Sequence, residues 1–421
     1  MPGFGSGIDG TIHVVRDIAE MQKVLRSEGT YPSGAVETEW PIRQWMKERN
    51  YATQGLFGRG PEWKIVRSFL QKDLLAPASA REYIPGIFKG ATRASQRFGD
   101  FSNVPASNEM SPQARSDRLT RYMNFSAMDM FAEVLFGGSG ISDPGGITEQ
   151  QYQEFCESAA DGVLEMFNLM RDPWQRLLAV TFGITTPRVK RFQQNFNAVE
   201  QVARNRIAQF LVKLDGNSSQ TLSEAERNSY LYKLLQRREE SSMSDEAVIE
   251  IAVMMMVAAL DTTASKLSWN VVQLAVNPEL QQELYDQLDK AAQESSDSKS
   301  LPRLLLDPSR VPLLSAFVRE THRCTPALGF DLFKSLESPI EVHGTTLPSG
   351  STVMFDCLTV QMDPNLVDDP TTFNPKRWYK EAVEERKGTP KAVIDHVFYS
   401  GPFSQGARRC PGKCLCNACS C

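Results

Sequence analysis

Apolar residues recur at three- and four-residue spacing along most of the chain, beginning in the segment RDIAEMQKVLRSEG near its start. This period is typical of amphipathic α-helices, and clusters of Gly, Pro and Ser divide the chain into separate helical segments. A different pattern begins at Pro339, where PIEVHGTTLPSGSTVMFD contains two β-prone runs separated by glycine-containing turns. The pattern predicts a mainly α-helical protein with a small β-sheet region.

One predicted helix, SDEAVIEIAVMMMVAALDTTASKLSWNVVQLAVNP, is apolar on almost every side. Ser244 is a suitable N-cap, and the Asn277-Pro278 pair is a suitable stop. Near the middle, the polar residues Asp261 and Thr262 interrupt the apolar surface. In the simpler interpretation, the Thr262 hydroxyl bonds to a carbonyl one turn earlier and Asp261 pairs with a basic side chain. In the alternative, the two residues deliver protons to a ligand that binds against this helix.

Composition narrows the class of protein. The chain has 421 residues, of which 41% are hydrophobic, and it contains neither an internal repeat nor a long linker. The length allows anything from one large domain to three small ones, and no linker marks a boundary. The formal net charge of -5 argues against nucleic-acid binding, which requires a basic surface. The sequence shows no leader pattern and no uninterrupted apolar run of about 20 residues, so we expect no membrane-spanning anchor in it.

Three charged residues are candidates for a buried cluster. The segment FVRETHRC places Glu320 and Arg323 on one face of a predicted helix, and TFNPKRW adds Arg377 just before Trp378. An isolated, exposed Glu–Arg pair would contribute only about 0–1 kcal/mol to stability. If Arg377 reaches that pair, the three side chains instead form a buried cluster in which each charge is paired.

Another candidate pair is Trp63 and Arg67, four residues apart in GPEWKIVRSFL, where Pro61 suits a first helical position. One interpretation is an amphipathic surface helix in which Trp63 packs inward and Arg67 is solvated. An indole N–H and a guanidinium on one helix face are also the donors that a bound carboxylate requires. The residues alone leave both interpretations open.

Cysteines crowd the end of the chain. Cys410 lies in FSQGARRCPGKCLC, where Gly406 and Gly412 permit close backbone approach and Arg408 supplies a permanent cation. A cation and the amide groups of a tight loop lower the pKa of a cysteine, and the thiolate is the form that binds metals. Residues 413–421 form an atypical cysteine-rich tail. As an alternative, this tail could bind zinc through Cys414, Cys416, Cys419 and Cys421.

Together these motifs resemble those of the cytochrome P-450 family of haem-thiolate monooxygenases. The family's WxxxR, central-helix, ExxR, FxPxRW and FxxGxRxCxG patterns all occur here, in the family's order. The matching residues are Trp63, Arg67, Ala258, Asp261, Thr262, Thr263, Glu320, Arg323, Phe373, Pro375, Arg377, Trp378, Phe403, Gly406, Arg408, Cys410 and Gly412. Five motifs in one order make the resemblance specific.

The resemblance implies the cytochrome P-450 fold, a single domain over residues 1–421, and a haem b cofactor. Cys410 is implied to be the axial thiolate ligand of the haem iron, and therefore the metal-binding residue. The haem propionates are implied to be held by Trp63, Arg67 and Arg408. The other cofactor-binding residues that the resemblance implies are Phe403, Gly406 and Gly412.

The implied reaction inserts one oxygen atom from O2 into an apolar small molecule, such as a sterol or a fatty acid. Asp261 and Thr262 are the implied catalytic residues and deliver protons, while the Glu320 cluster supports the cysteine loop. The electron donor is implied to be a ferredoxin or a flavoprotein reductase. The segments RSEGTYPSG and GPEWKIVRSFL are similar to the mitochondrial-type branch, which uses a ferredoxin. The implied location is the mitochondrial inner membrane or the endoplasmic reticulum membrane.

Three features depart from the family pattern. Ala259 replaces a glycine in the central helix, and Phe333 stands where a haem-binding arginine is expected, with Lys334 beside it. The chain also ends soon after Cys410, so we expect it to lack the part of the fold that follows the cysteine loop. This leaves an inactive, truncated haem-binding relic as an alternative. Arg319, Arg409 and Lys413 are predicted to form the docking face for the electron donor.

Overall fold

The computed structural model describes residues 11–34, 40–75, 77–103, 111–137, 148–170, 172–215, 222–238, 243–295, 300–325, 332–400 and 402–415. The chain divides into two compact units. The first, which we call the helical unit, is built mainly from Thr38–Ser265. The second, which we call the sheet unit, is built mainly from Gly5–Glu37 and Lys266–Lys413.

The helical unit contains helices α2 to α11 and the first part of α12. Their bounds are α2 Ile42–Glu48, α3 Gly60–Leu74, α4 Pro77–Arg81, α5 Ile84–Asn103, α6 Pro112–Phe136, α7 Glu149–Met170, α8 Pro173–Arg176, α9 Pro187–Leu214, α10 Glu224–Arg227, α11 Tyr230–Arg237 and α12 Asp245–Val276. A short π-helical turn, Leu177–Thr181, follows α8.

The sheet unit contains α1, the rest of α12, helices α13 to α18 and strands β1 to β6. The helix bounds are α1 Ile18–Arg26, α13 Pro278–Gln293, α14 Leu301–Leu305, α15 Pro312–Cys324, α16 Cys357–Gln361, α17 Lys380–Glu385 and α18 Val397–Ser400. The strands are β1 Ile12–Val15, β2 Ser33–Gly34, β3 Leu332–Ser335, β4 Ile340–Val342, β5 Thr345–Leu347 and β6 Thr352–Phe355.

Long helices packed in pairs form the core of the helical unit. Helix α5 packs against α6, and α7 packs against α9. Aromatic side chains fill the space beside α9, where the Phe196 ring centroid lies 4.6 Å from Phe192 and 5.4 Å from Trp45. The Trp45 indole nitrogen donates to Asn197 Oδ1 at 2.9 Å, so this buried polar atom is paired.

The ends of α12 confirm the boundaries that the sequence predicts. The Ser244 Oγ accepts a hydrogen bond from the Ala247 amide at 3.1 Å, as an N-cap does. At the other end, α12 stops at Val276 and Pro278 begins α13. By length and mean hydropathy alone, α12 meets the requirement for a membrane-crossing helix. However, 72% of its apolar window is buried inside the protein, as in a core helix.

The sheet unit contains the small sheet that the sequence predicts after Pro339. Four strands are ordered β1-β6-β3-β2, with β1 parallel to β6 and the other pairs antiparallel. Strands β4 and β5 form a separate antiparallel hairpin. Buried residues of α1, β1 and β6 form the core beside the four-stranded sheet. They include Met21 and Val24 on α1, Val15 on β1, and Val353 and Phe355 on β6.

Candidate active site

The loop around Cys410 is closed by its own backbone. The Cys410 amide donates to the Phe403 carbonyl at 2.8 Å, which brings the two ends of the motif together. Between them, Gly406 has a φ of +81°, a conformation that residues with a Cβ rarely adopt. A Cβ added at Gly406 would lie 2.5 Å from Glu28 Oε2, so any other residue there would have to displace the Glu28 carboxylate. Cys410 itself is half-buried.

Two cationic side chains connect this loop to other segments of the sheet unit through hydrogen bonds. The Arg408 guanidinium donates through Nε to the Pro32 carbonyl. Lys334, buried on β3, lies 2.7 Å from Glu28 Oε1 and donates to the Gln405 carbonyl at 2.9 Å. The sequence singles out Lys334 only as the neighbour of a missing arginine. Its role in holding the loop depends on contacts with residues far away in the chain.

The predicted Glu320 cluster is confirmed. Arg323 Nη2 lies 2.7 Å from Glu320 Oε1, and Arg377 Nε lies 3.0 Å from the same oxygen. The Trp378 indole nitrogen donates to Glu320 Oε2 at 2.8 Å, and the Asn374 amide donates to Oε1 at 2.9 Å. Glu320 is 0% exposed, so this is a fully bonded buried cluster rather than a surface ion pair.

Hydrogen bonds hold Glu320 in its ionised form. Burial, the largest single effect, raises the pKa of this carboxyl, and the hydrogen bond and positive charge of Arg323 oppose it. The Asn374 amide and the charge of Arg377 act in the same direction. The net result is a pKa below its ordinary value, and the cluster stays charged at neutral pH.

In the helical unit, Trp63 and Arg67 are both buried, being 4% and 6% exposed. They lie one turn apart on α3, which begins at Gly60 with Pro61 in its first turn. The interpretation in which Arg67 is solvated is therefore wrong. The pair forms a buried donor set of one indole and one guanidinium, which suits a carboxylate by its chemistry.

One face of α12 opens within an otherwise buried stretch of helix. Ala258 is exposed, and Asp261, Thr262 and Ser265 are half-buried at the spacing of a single helix face. The Thr262 hydroxyl donates to the Ala258 carbonyl at 3.1 Å, the bond to the preceding turn that the simpler interpretation predicts. Both polar side chains are therefore partly exposed on this face.

Asp261 differs from that simpler interpretation. Within the residues that the structure describes, it forms neither an ion pair nor a hydrogen bond, so the expected basic partner is missing there. Burial raises the pKa of this carboxyl above its ordinary value. A carboxyl with a raised pKa holds a proton more readily and can pass it on.

Arg319, which is predicted to belong to the docking face, has a side chain that is 34% exposed and packs on Trp378. Its guanidinium carbon lies 3.9 Å from the centre of the Trp378 ring, and Nη2 lies 3.6 Å from Asp395 Oδ1. It is therefore a packing cation beside the Glu320 cluster. Arg409 and Lys413 are exposed, as a docking face requires.

The cysteine-rich tail lies mostly outside the described residues, which include Cys414 but none of the cysteines that follow it. The Cys414 sulfur lies 3.9 Å from the Leu75 carbonyl oxygen. Among the residues described, no group of three His, Cys, Asp or Glu side chains is arranged to hold a metal ion. Zinc binding by the tail thus gains no support from the part of it that the structure includes.

A sequence model of the cytochrome P-450 family matches residues 9–417, almost the whole chain. The chain belongs to the cytochrome P-450 family. Enzymes of this family are haem-thiolate monooxygenases with haem b as cofactor, so this cytochrome P-450 is an oxidoreductase of that type. Its helix-rich architecture with a small sheet is the expected family fold.

Relatives of this cytochrome P-450 include mitochondrial enzymes, in agreement with its resemblance to the mitochondrial-type branch. It is 23% identical to the mitochondrial sterol 26-hydroxylase of Rattus norvegicus over 93% of this chain and 69% of the relative. It is 24% identical to the mitochondrial 25-hydroxyvitamin D-1 alpha hydroxylase of Homo sapiens, over 96% and 75%. A probable cytochrome P-450 49a1 of Drosophila melanogaster is 26% identical, over 85% and 58%.

The residues of the cytochrome P-450 loop fit a haem-thiolate. The candidate ligand is a half-buried thiol whose own amide closes the loop. A Cβ added at Gly412 would lie 3.7 Å from Cys410 Sγ, in ordinary contact with it, so glycine leaves the space beside the sulfur open. A thiol with an open side, in a loop that carries Arg408, suits an iron ligand.

Proposed function

We propose that this cytochrome P-450 hydroxylates an apolar lipid of the sterol or fatty-acid class, with electrons supplied by a ferredoxin. The observation that carries the proposal is the closed Cys410 loop, in which the Cys410 amide bonds to the Phe403 carbonyl at 2.8 Å. One atom of O2 enters a C–H bond of the substrate and the other leaves as water, which consumes two electrons and two protons.

Cys410 is proposed as the thiolate ligand, with Phe403, Gly406 and Gly412 shaping the loop around it. Haem, when bound, supplies the oxygen-activating chemistry. By the resemblance, we assign its carboxylates to Trp63, Arg67 and Arg408. The support for the helical-unit pair is the burial of a guanidinium and an indole on one helix face.

Proton delivery is assigned to Asp261 and Thr262. Both lie on the open face of α12, and the raised pKa of Asp261 suits a group that takes up a proton and releases it again. The Thr262 hydroxyl donates its proton to the Ala258 carbonyl, and its lone pairs can accept a hydrogen bond from a second group. The stretch of α12 just before this pair, residues 251–260, carries only apolar side chains, which limits the entry of water.

The electron donor is proposed to be a small acidic ferredoxin. Exposed Arg409 and Lys413 flank Cys410 in the sequence and supply complementary charge. The similarity to mitochondrial relatives supports this donor over a flavoprotein reductase.

A membrane-facing surface is proposed for the helical unit. The segment after α7 exposes a run of large apolar side chains: Trp174 (70% exposed), Leu177 (40%), Val180 (56%), Phe182 (63%) and Ile184 (49%). Clustered exposed aromatic and aliphatic side chains are typical of segments that enter a lipid interface. This surface supports association with a membrane, in the mitochondrion according to the relatives.

Turnover of the reconstituted protein tests the proposal. The chain, loaded with haem, is supplied with 18O2, a panel of sterols and fatty acids, and either a ferredoxin system or a flavoprotein reductase. We expect one 18O atom per hydroxylated product and faster turnover with the ferredoxin. Haem binding without any product would favour the inactive relic, and faster turnover with the reductase would contradict the proposed donor.

A further inference from the structure

His322 lies in the last turn of α15, between Thr321 and Arg323 in the sequence. Its imidazole makes an edge-on contact with the Phe403 ring, with centroids 5.7 Å apart and an interplanar angle of 69°. Phe403 in turn accepts the hydrogen bond from the Cys410 amide. The histidine therefore contacts the ring of the residue whose carbonyl closes the loop of the proposed iron ligand.

The imidazole nitrogens of His322 are buried. Neither Nδ1 nor Nε2 has a hydrogen-bond partner among the residues that the structure describes. Buried polar atoms in folded proteins are nearly always paired, and an exception calls for a partner such as a water or a cofactor. The position of His322 beside the cysteine loop points to the cofactor side as the source of that partner.

His322 is held in its neutral form. Burial lowers its pKa to about 3, and the positive charge of Lys266 acts in the same direction. Lys266 is itself 0% exposed, and its ammonium group donates to the Thr325 carbonyl at 2.6 Å and to the Thr321 carbonyl at 3.3 Å. The cation is thereby fixed at the carboxyl end of α15, where the helix dipole favours it. A neutral imidazole offers one N–H donor and one acceptor nitrogen.

We propose that His322 is a hydrogen-bond donor to the haem-thiolate held at Cys410, directly or through one water, and that it thereby raises the reduction potential of the iron. This inference rests on the proposed function. One-electron reduction adds negative charge to the haem-thiolate, and a nearby N–H stabilises that charge. The contact with Phe403 orients the imidazole ring of His322, and the N–H group of that ring raises the reduction potential of the iron.

Two substitutions separate the nitrogens from the ring. His322→Phe keeps an aromatic ring against Phe403 and removes both nitrogens, and His322→Asn keeps a hydrogen-bond donor and removes the ring. His322→Leu is a second variant without nitrogens, should the phenylalanine variant not fold. The matched control is His396→Phe, because the His396 ring packs against Phe398 in the same unit, with centroids 4.9 Å apart.

The measurement is the ferric/ferrous midpoint potential of the full chain reconstituted with haem, together with its Soret spectrum. For His322→Phe we expect an equilibrium about tenfold less favourable to the ferrous form, a decrease of about 59 mV for one electron. We expect His322→Asn to stay within about threefold of the unsubstituted protein, and His396→Phe to match it.

The possible outcomes each decide the question. An unchanged potential in His322→Phe, or a decrease in His322→Asn alone, would show that only packing against Phe403 matters and would overturn the inference. In both cases the unsubstituted protein still shows a haem-thiolate spectrum, so the proposed function stands. If the unsubstituted protein binds no haem through a thiolate, the proposed function and this inference fail together.

Discussion

Arg323 donates two parallel hydrogen bonds to Glu320, from Nη2 to Oε1 at 2.7 Å and from Nε to Oε2 at 2.9 Å. The same guanidinium also donates to the Pro370 carbonyl at 2.7 Å and to the Thr372 carbonyl at 3.1 Å. Arg323 therefore ties α15 to the segment that precedes Arg377. Because α15 also carries His322, this cluster fixes the helix that contacts the cysteine loop.

The lowered pKa of Glu320 predicts a loss of stability in acid. A carboxyl whose folded-state pKa lies below the unfolded value, about 4.3, stabilises the fold fully above that value. The stability is lost as the pH falls through the folded-state pKa. Urea unfolding between pH 7 and pH 3 should show the midpoint falling below about pH 4.3.

In Glu320→Gln the part of this acid-dependent loss that comes from Glu320 should disappear, so that stability falls less steeply with pH. Stability at neutral pH should fall by about 3–5 kcal/mol, since buried arginines lose their partner. The control is Glu384→Gln, because Glu384 pairs with Lys387 on the surface. This substitution should change stability by less than about 1 kcal/mol. An equally steep acid response in Glu320→Gln would show that other carboxyls govern it.

Gly406→Ala should damage the cysteine loop more than its backbone conformation alone explains. Gly344 has a similar φ of +76°, but an added Cβ there meets nothing within 4 Å, so Gly344→Ala measures the conformational cost, about 1–2 kcal/mol. Gly406→Ala adds a clash 2.5 Å from Glu28 Oε2. We expect a lower melting temperature and lower haem occupancy than in Gly344→Ala. Equal effects would contradict the close approach of Glu28.

Thr262→Ala should uncouple electron consumption from product formation, because the hydroxyl on the open face of α12 is lost. We expect a product yield per electron lower by about tenfold or more, in line with removal of a positioned proton-transfer group, with peroxide released instead. Thr262→Ser retains the hydroxyl and serves as the control. The ratio of product to consumed reductant is the measurement, and an unchanged ratio in Thr262→Ala would rule out proton delivery by this residue.

Replacing Trp174 and Phe182 by serine should weaken binding to lipid vesicles, because exposed apolar side chains in that segment are removed from the interface. We expect at least a tenfold loss in cosedimentation with vesicles that contain anionic lipid. Tyr285→Ser removes an aromatic ring that is 62% exposed in the sheet unit, and it should bind as the unsubstituted protein does. Equal binding by the double variant would place the membrane contact elsewhere.

The sequence was sufficient for features that depend on neighbouring residues. Helix α12 begins at the Ser244 cap and stops before Pro278, and β4 and β5 form a hairpin where alternation and a glycine turn predict it. The Glu320 cluster could be predicted as a possibility because its members lie in two recognisable motifs. Only the structure shows that Arg377 reaches it.

Features that depend on residues far apart in the chain could not be predicted. Two sets of contacts join segments that lie far apart in the sequence: those of Lys334 with Glu28 and Gln405, and that of His322 with Phe403. No local sequence pattern indicates that these segments meet. The packing of Arg319 on Trp378 could not be predicted either, because it is decided by tertiary structure. A basic partner for Asp261 was expected because buried charges are generally paired. Burial instead raises the pKa of Asp261, which favours the neutral carboxyl, and a neutral group needs no ion pair.

The central claim is that Cys410 binds haem iron as a thiolate. The most direct test is the absorbance difference spectrum of the haem-reconstituted chain, reduced, with and without carbon monoxide. A strongly red-shifted Soret band in the unsubstituted protein, absent in Cys410→Ala, is the predicted result. An unshifted band in the unsubstituted protein, or the same red-shifted band in Cys410→Ala, would contradict the assignment of Cys410 as the ligand.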